Sequence, residues 1–341
     1  MRGIRRPSPW TLLLTAFACG FWAARPAAAT IICTTLPSTI EGATGISGQQ
    51  VVGQSQADFY VGVTASGPSY TPLTSISDPN AAANGGTFPY GISGGNITGY
   101  YEDSSSHSHG FMFNGSTYTT LDYPAPTASN LPAGYQATAS TTYTAYNTQL
   151  TGISGSRIVG YYDYDITNLL YNGHTVSLAG SNGLSYDGKN WTPLTCPLGS
   201  GTFAEGISGN NIVGWFLDAS GNDHGFIYNG STYAELDYPG ETNTQILGIS
   251  GSDMVGRYKD SSGNQHGFLY DGSTFTTLDV PSASQTIAYG IDGNEVVGYC
   301  QIGSGGYGFI ADVPEPSAPA AALGALTITL LRRRRGPRGR E

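Results

Sequence analysis

Three histidines in this chain each follow an aspartate by six residues: Asp103 and His109, Asp218 and His224, Asp260 and His266. An imidazole beside a carboxylate can move protons. Here the pair recurs in successive copies of one repeat, and catalytic groups are normally singular. The pairs are therefore expected to be structural hydrogen bonds that pin a loop. The same recurrence argues against a three-histidine metal site, because side chains far apart around a repeat array do not converge. The segment from Asp218 to Asp223 is Asp-Ala-Ser-Gly-Asn-Asp, loosely like a Ca²⁺ loop. It lacks the alternating oxygen ligands and distal glutamate of an EF-hand and reads as a turn. No cofactor is expected, and Ca²⁺ association with acidic loops is the one left open.

Aromatic residues gather at another recurring position, and Tyr101, Tyr162, Trp215 and Tyr258 are taken as a candidate ligand face. Most such residues should pack between repeats. The remainder would offer flat faces to sugar rings. No Gly-x-Ser-x-Gly elbow, His-Glu-x-x-His, phosphate loop or Cys-x-x-Cys is present, so no catalytic residue is assigned.

These residues ride on a nine-residue signature: Gly, Ile, Ser or Asp, Gly, any two, an aliphatic or Thr pair, Gly. It starts at Gly45, Gly91, Gly152, Gly206, Gly248 and Gly290. A period near 40 residues with β-type composition means one supersecondary unit repeated. In the fifth unit, Leu247 to Ser250, Met254 to Tyr258, His266 to Tyr270 and Thr274 to Leu278 read as strands a to d. Asp271-Gly272 marks the c–d hairpin. The fourth glycine of the signature falls in the a–b turn, where positive φ is expected. The ninth falls inside strand b, where a close approach by the adjacent blade is expected. Four short antiparallel strands per unit make a β-propeller blade. The expectation is an all-β, six-bladed propeller of four-stranded blades. The sixth unit lacks strand d, and Ile31 to Pro37 resembles one, so the N-terminal strand is expected to close the ring. Residues 168–180 read as an insertion, and 75–90 and 123–151 as variable loops. The b–c and d–a loops share one face, which is where binding is expected.

Three segments follow: 1–29, 30–312 and 313–341. Arginines, an apolar run from Trp10 to Trp22 and Ala27-Ala28-Ala29 form a signal-peptide pattern. Between Thr30 and Asp312, four basic residues face 22 acidic ones, a formal balance of −18. Such a body repels nucleic acid and anionic membranes. Cys33, Cys196 and Cys300 remain after the leader, too few for a disulfide framework.

The repeat, with Ile-Val-Gly-Tyr-Tyr, His-Gly-Phe, Asn-Gly and Thr-Leu-Asp after its Gly-Ile-Ser-Gly, resembles the HAF-type extracellular repeat of bacterial exported proteins. Gly110, Gly225 and Gly267 stand where that family often has Ala. The resemblance implies an extracellular, propeller-like domain and no known catalytic residues. Val313, Pro314, Glu315 and Pro316, then an apolar stretch from Ala318 to Leu331 and Arg332 to Arg335, are similar to a PEP-CTERM sorting tail. That resemblance implies transient membrane insertion, cleavage by an exosortase and delivery to the cell surface or biofilm matrix. The expected function is a non-enzymatic binding or scaffolding propeller associated with exopolysaccharide. The alternative is a propeller lyase or glycosidase acting on polysaccharide.

Overall fold

The computed structural model describes residues 32–36, 40–55, 61–66, 71–82, 85–127 and 131–313. The leader, Pro314, Glu315, Pro316, the apolar stretch and the arginine cluster lie outside them. Among the described residues every regular element is a β-strand, and no helix is long and apolar enough to cross a membrane.

The strands form six antiparallel sheets. Five are four-stranded blades in simple up-and-down order. The fifth repeat supplies Thr242–Ser250, Asp253–Lys259, Gln265–Tyr270 and Phe275–Leu278, within a few residues of the sequence reading. The third repeat departs from the expected four strands. Its sheet has five, because Tyr135–Gln136 pairs with the far end of Arg157–Tyr171. The presumed insertion at 168–180 is not a loop. Strands Arg157–Tyr171 and His174–Tyr186 simply continue outward and turn at Asn172 and Gly173. Both turn residues have positive φ, 49° and 80°, which suits the Asn-Gly hairpin. Thr142–Ser154 runs beside them, so part of the presumed 123–151 loop is also strand. Together they build a three-stranded tongue.

The repeated glycines explain how the sheets meet. Those at the fourth position all have φ between 55° and 62°, which only glycine adopts cheaply. The ninth-position glycines do not face the adjacent blade, correcting the sequence reading. A methyl group there would strike a strand-a carbonyl of the same blade, Gln245 for Gly256 and Phe203 for Gly214. The first-position glycines take the inter-blade role instead. A methyl group at Gly152 would lie 3.2 Å from the Gly206 Cα, one at Gly248 3.1 Å from the Gly290 Cα, and one at Gly290 3.3 Å from the Gly45 Cα. The inner strands thus touch backbone to backbone, and the contact between Gly290 and Gly45 joins last blade to first.

The third signature residue locks the same joints. Ser47 Oγ accepts from the Gly94 amide, Ser93 from Gly155, Ser208 from Gly251 and Ser250 from Gly293, at 3.1–3.3 Å. Asp292 accepts from the Gly48 amide at 2.6 Å. Ser and Asp both offer a short acceptor there, which is compatible with either residue at this position.

The N-terminal strand, Ile32–Thr35, pairs antiparallel with Gly305–Asp312 and completes the last blade, as expected. The Leu36 amide donates to the Gly308 carbonyl at 2.7 Å. Leu36 and Ile40 are buried with Ala43, Ile46, Val51 and Val297. Side chains from both ends of the chain therefore share one core cluster. Burying each aliphatic chain contributes about 1.5–3 kcal/mol.

Candidate functional site

The aspartate–histidine pairs form, but each histidine has a second and closer partner that sequence spacing missed. His224 Nε2 lies 3.5 Å from Asp218, while its Nδ1 lies 2.6 Å from Asp237. His109 sits at 3.5 Å from Asp103 and 2.8 Å from Asp122. His266 sits at 3.4 Å from Asp260 and 2.7 Å from Asp279. The second aspartate comes from the Leu-Asp that ends strand d, thirteen residues on. Burial works against each imidazolium, but the hydrogen bonds and charges of the aspartates outweigh it and raise all three histidines above their ordinary value. Asp218 is committed to its own loop, accepting from the Ser220 and Asn222 amides at 2.7 and 2.8 Å. The Asn222 amides and their neighbours push its carboxyl down to about 2. That geometry is a turn clamp. His224, Glu235 and Asp237 bring ligand atoms within 4.8 Å of one another, but His224 and Asp237 already satisfy each other.

Three of the four candidate ligand-face residues are core. Tyr101, Tyr162 and Tyr258 are 6%, 1% and 6% exposed. Tyr101 and Tyr258 stack on His109 and His266 at 5.2 Å, and Tyr162 stacks on Tyr123 at 3.9 Å. They are withdrawn as a sugar platform, because strand b turns this position toward the neighbouring blade. Trp215 occupies the alternate face of strand b and lines the central channel instead.

Two places break the repeat. The first is a cleft of about 550 Å³ on the face of the b–c and d–a loops, between the second blade and the tongue. His107, His109, Asp122, Tyr146, Asn147 and Asp165 line it. The His107 side chain is 56% exposed, and Asn147 holds φ +53° at the bend where the tongue leaves the blade.

The second is the channel itself. Every inner strand carries a β-bulge immediately before its first signature glycine. A bulge leaves one residue unpaired and re-aims its side chain. The six bulged residues are Thr44, Tyr90, Thr151, Glu205, Leu247 and Tyr289, and all line the channel. Below them, toward the a–b turns, Ile46, Ile92, Ile153, Ile207, Ile249 and Ile291 form an apolar tier, 6–8% exposed. Strand b adds Tyr161, Trp215 and Arg257. The Trp215 indole donates to Glu205 Oε1 at 3.0 Å. Arg257 Nε donates to Gln245 Oε1 at 2.8 Å, and Gln245 Nε2 donates to Asp223 at 2.7 Å. Tyr161 donates to Gln149 at 2.6 Å. Burial pushes the Glu205 carboxyl up to about 7, against the pull of the Trp215 hydrogen bond and the Arg257 charge. Sequence reasoning missed Glu205 and Arg257. The signal was available: Glu205 is the only charged residue in its repeat column, and Arg257 is one of four basic residues in the body.

No family model matches the chain, and no curated protein matches it. Solved structures similar to it include a fungal lectin of Aleuria aurantia, described as a six-bladed β-propeller with a novel fucose-recognition mode. Identity is 13% over 84% of this chain and 99% of that one, with a TM-score of 0.41. The SapL1 lectin in complex with alpha-methyl fucoside is 13% identical over 83% and 99%, with a TM-score of 0.45. The β-propeller domain of the Trilobed protease from Pyrococcus furiosus is 8% identical over 82% and 96%, with a TM-score of 0.43.

Proposed function

We propose that this chain is an exported cell-surface or matrix protein whose propeller binds extracellular polysaccharide without turning it over. The observation that carries this reading is the cleft beside the tongue. It lies on the variable-loop face, residues of the tongue form one wall of it, and it gathers aromatic rings, carboxylates and imidazoles around 550 Å³. Pockets of this size hold ligands larger than one sugar ring. The leader pattern, the Pro-Glu-Pro motif with its apolar stretch and the arginine cluster support export, exosortase processing and delivery to the matrix.

The glycosidase alternative asks for two carboxylates about 5 Å apart. The repeated aspartates are held in clamps, and among the described residues the channel lining contains one carboxylate, Glu205. The cleft lining adds Asp122, hydrogen-bonded to His109, and Asp165, so a turnover assay rather than the carboxylate count separates binder from enzyme. A glycan array probed with the exported protein, run beside a reducing-end assay, tests the reading. Capture of polysaccharide that weakens in Tyr146→Ala and Asp165→Ala, with no new reducing ends, is the expected result. Chain cleavage would replace binder with enzyme, and capture indifferent to both substitutions would move the site elsewhere.

A further inference from the structure

The channel joins a constant frame to variable contents. The bulge, the first-position glycine and the isoleucine tier recur six times. The bulged side chains do not recur. Thr44 and Thr151 are spent on the frame, donating to the Pro89 and Ala204 carbonyls at 2.7 Å. Glu205, Leu247 and Tyr289 come from three consecutive blades and Tyr90 from the second, and strand b adds Trp215 and Arg257 from the fourth and fifth. A frame needs no glutamate facing the channel, and ionising one in this partly buried setting works against folding.

We propose that the channel is a second, separate binding site, which takes one neutral sugar ring, held by Glu205, Arg257, Trp215 and Tyr289. Four features select that ligand class. First, the charges oppose each other: an anion attracted to Arg257 meets Glu205, and a cation attracted to Glu205 meets Arg257, so a molecule without net charge is favoured. Second, both charged groups are preset in partial hydrogen bonds. Among the described residues only the Trp215 indole donates to Glu205, leaving the second carboxylate oxygen for a ligand hydroxyl. Arg257 spends Nε on Gln245, and Nη1 reaches the Gln265 amide oxygen at 2.6 Å once that amide is oriented to satisfy both, leaving Nη2. Third, burial raises the Tyr289 phenol, so it stays a neutral donor, while Tyr161 already donates to Gln149 and Tyr90 is bonded to Tyr100. Fourth, the cavity is about 250 Å³, below the usual range for drug-sized ligands and suited to a single ring. The isoleucine tier floors the site toward the a–b turns, so entry is from the variable-loop face.

The test is calorimetric titration of the exported protein with neutral aldohexoses, 6-deoxyhexoses and pentoses, beside sugar acids and free amino acids. At least one neutral monosaccharide should bind with one site per chain and change the indole fluorescence. Glu205→Gln and Arg257→Met should each weaken it by on the order of tenfold or more, the loss of one charged hydrogen bond. Tyr289→Phe, which removes only a hydroxyl, keeps the test decisive if Arg257→Met does not fold, with a several-fold loss expected. The proposal is overturned if no neutral sugar binds at millimolar concentration. It is equally overturned if binding survives Glu205→Gln and Tyr289→Phe unchanged, or if an amino acid or sugar acid binds better than every neutral sugar.

Discussion

Glu205→Gln should make the unliganded protein more stable, by a margin that grows as pH rises from about 4.5 to about 7 and is constant above it. Burial raises the Glu205 carboxyl from an ordinary 4.5 to about 7 in the folded protein. A raised folded value means that the folded state holds its proton between those two limits while the unfolded chain has released it. Stability from this group is therefore fully present below the unfolded value and is lost as pH rises through about 7. At about 1.4 kcal/mol per pKa unit, the ionised form costs roughly 3 kcal/mol at pH 8 relative to acid. Glutamine keeps an oxygen to accept from the Trp215 indole and carries no charge, so about 1–3 kcal/mol of that cost should be recovered. Urea midpoints of wild type and variant at pH 5 and pH 8, with a common slope, measure it. In a domain of this size each kcal/mol moves the melting temperature by about 2–4 °C, so calorimetry should show the same gap. The expected result is a gap at pH 5 of about a quarter of that at pH 8, where the variant is clearly more stable. An equal gain at both values, or a loss at pH 8, would refute the claim that burial of the charge is what sets this carboxyl. Natural proteins give up stability of this kind at sites that serve function.

Removing residues 30–37 should lower the melting temperature far more than an equal trim between 124 and 134, because Gly305–Asp312 loses its partner strand and Leu36 its burial; equal midpoints would sink the closure. His224→Ala and His266→Ala should each cost about 0.5–1.5 kcal/mol, up to about 3 where the bond is charged, add in the double variant and abolish no ligand capture. Because these histidines are raised, their contribution is complete below the ordinary histidine value and fades as pH climbs through the raised one, so the gap to wild type should narrow above neutrality. Intact-mass measurement of surface-extracted protein should find a C-terminus near residues 313–317, and a fraction dominated by chains ending at Glu341 would refute processing.

The unit of construction is legible in the residue order alone. Signature spacing gave the inner strands and their turns, because a positive-φ turn tolerates only glycine cheaply and its place in the period cannot drift. The closing strand was legible too, since a missing strand d at one end and a matching segment at the other leave one consistent pairing. Loop content was less legible. Residues 168–180 read as an insertion, yet the Asn172-Gly173 turn inside them was a hairpin signal for the tongue.

What each recurring position faces depends on how the strands twist and pack. Strand b alternates between two neighbours, so Tyr258 enters the core while Arg257, one residue earlier, enters the channel. The ninth glycines were assigned to the blade joint, but the first glycines occupy it, and a strand-a carbonyl of the same blade covers the ninth. His224 was paired with Asp218 by sequence distance, while the closer Asp237 arrives from another strand. Glu205 and Arg257 are 52 residues apart in the chain and share a channel only because blades curve into a ring. Repetition in sequence records what every blade needs. The few residues that break it acquire meaning only when the ring brings six different bulges to one axis.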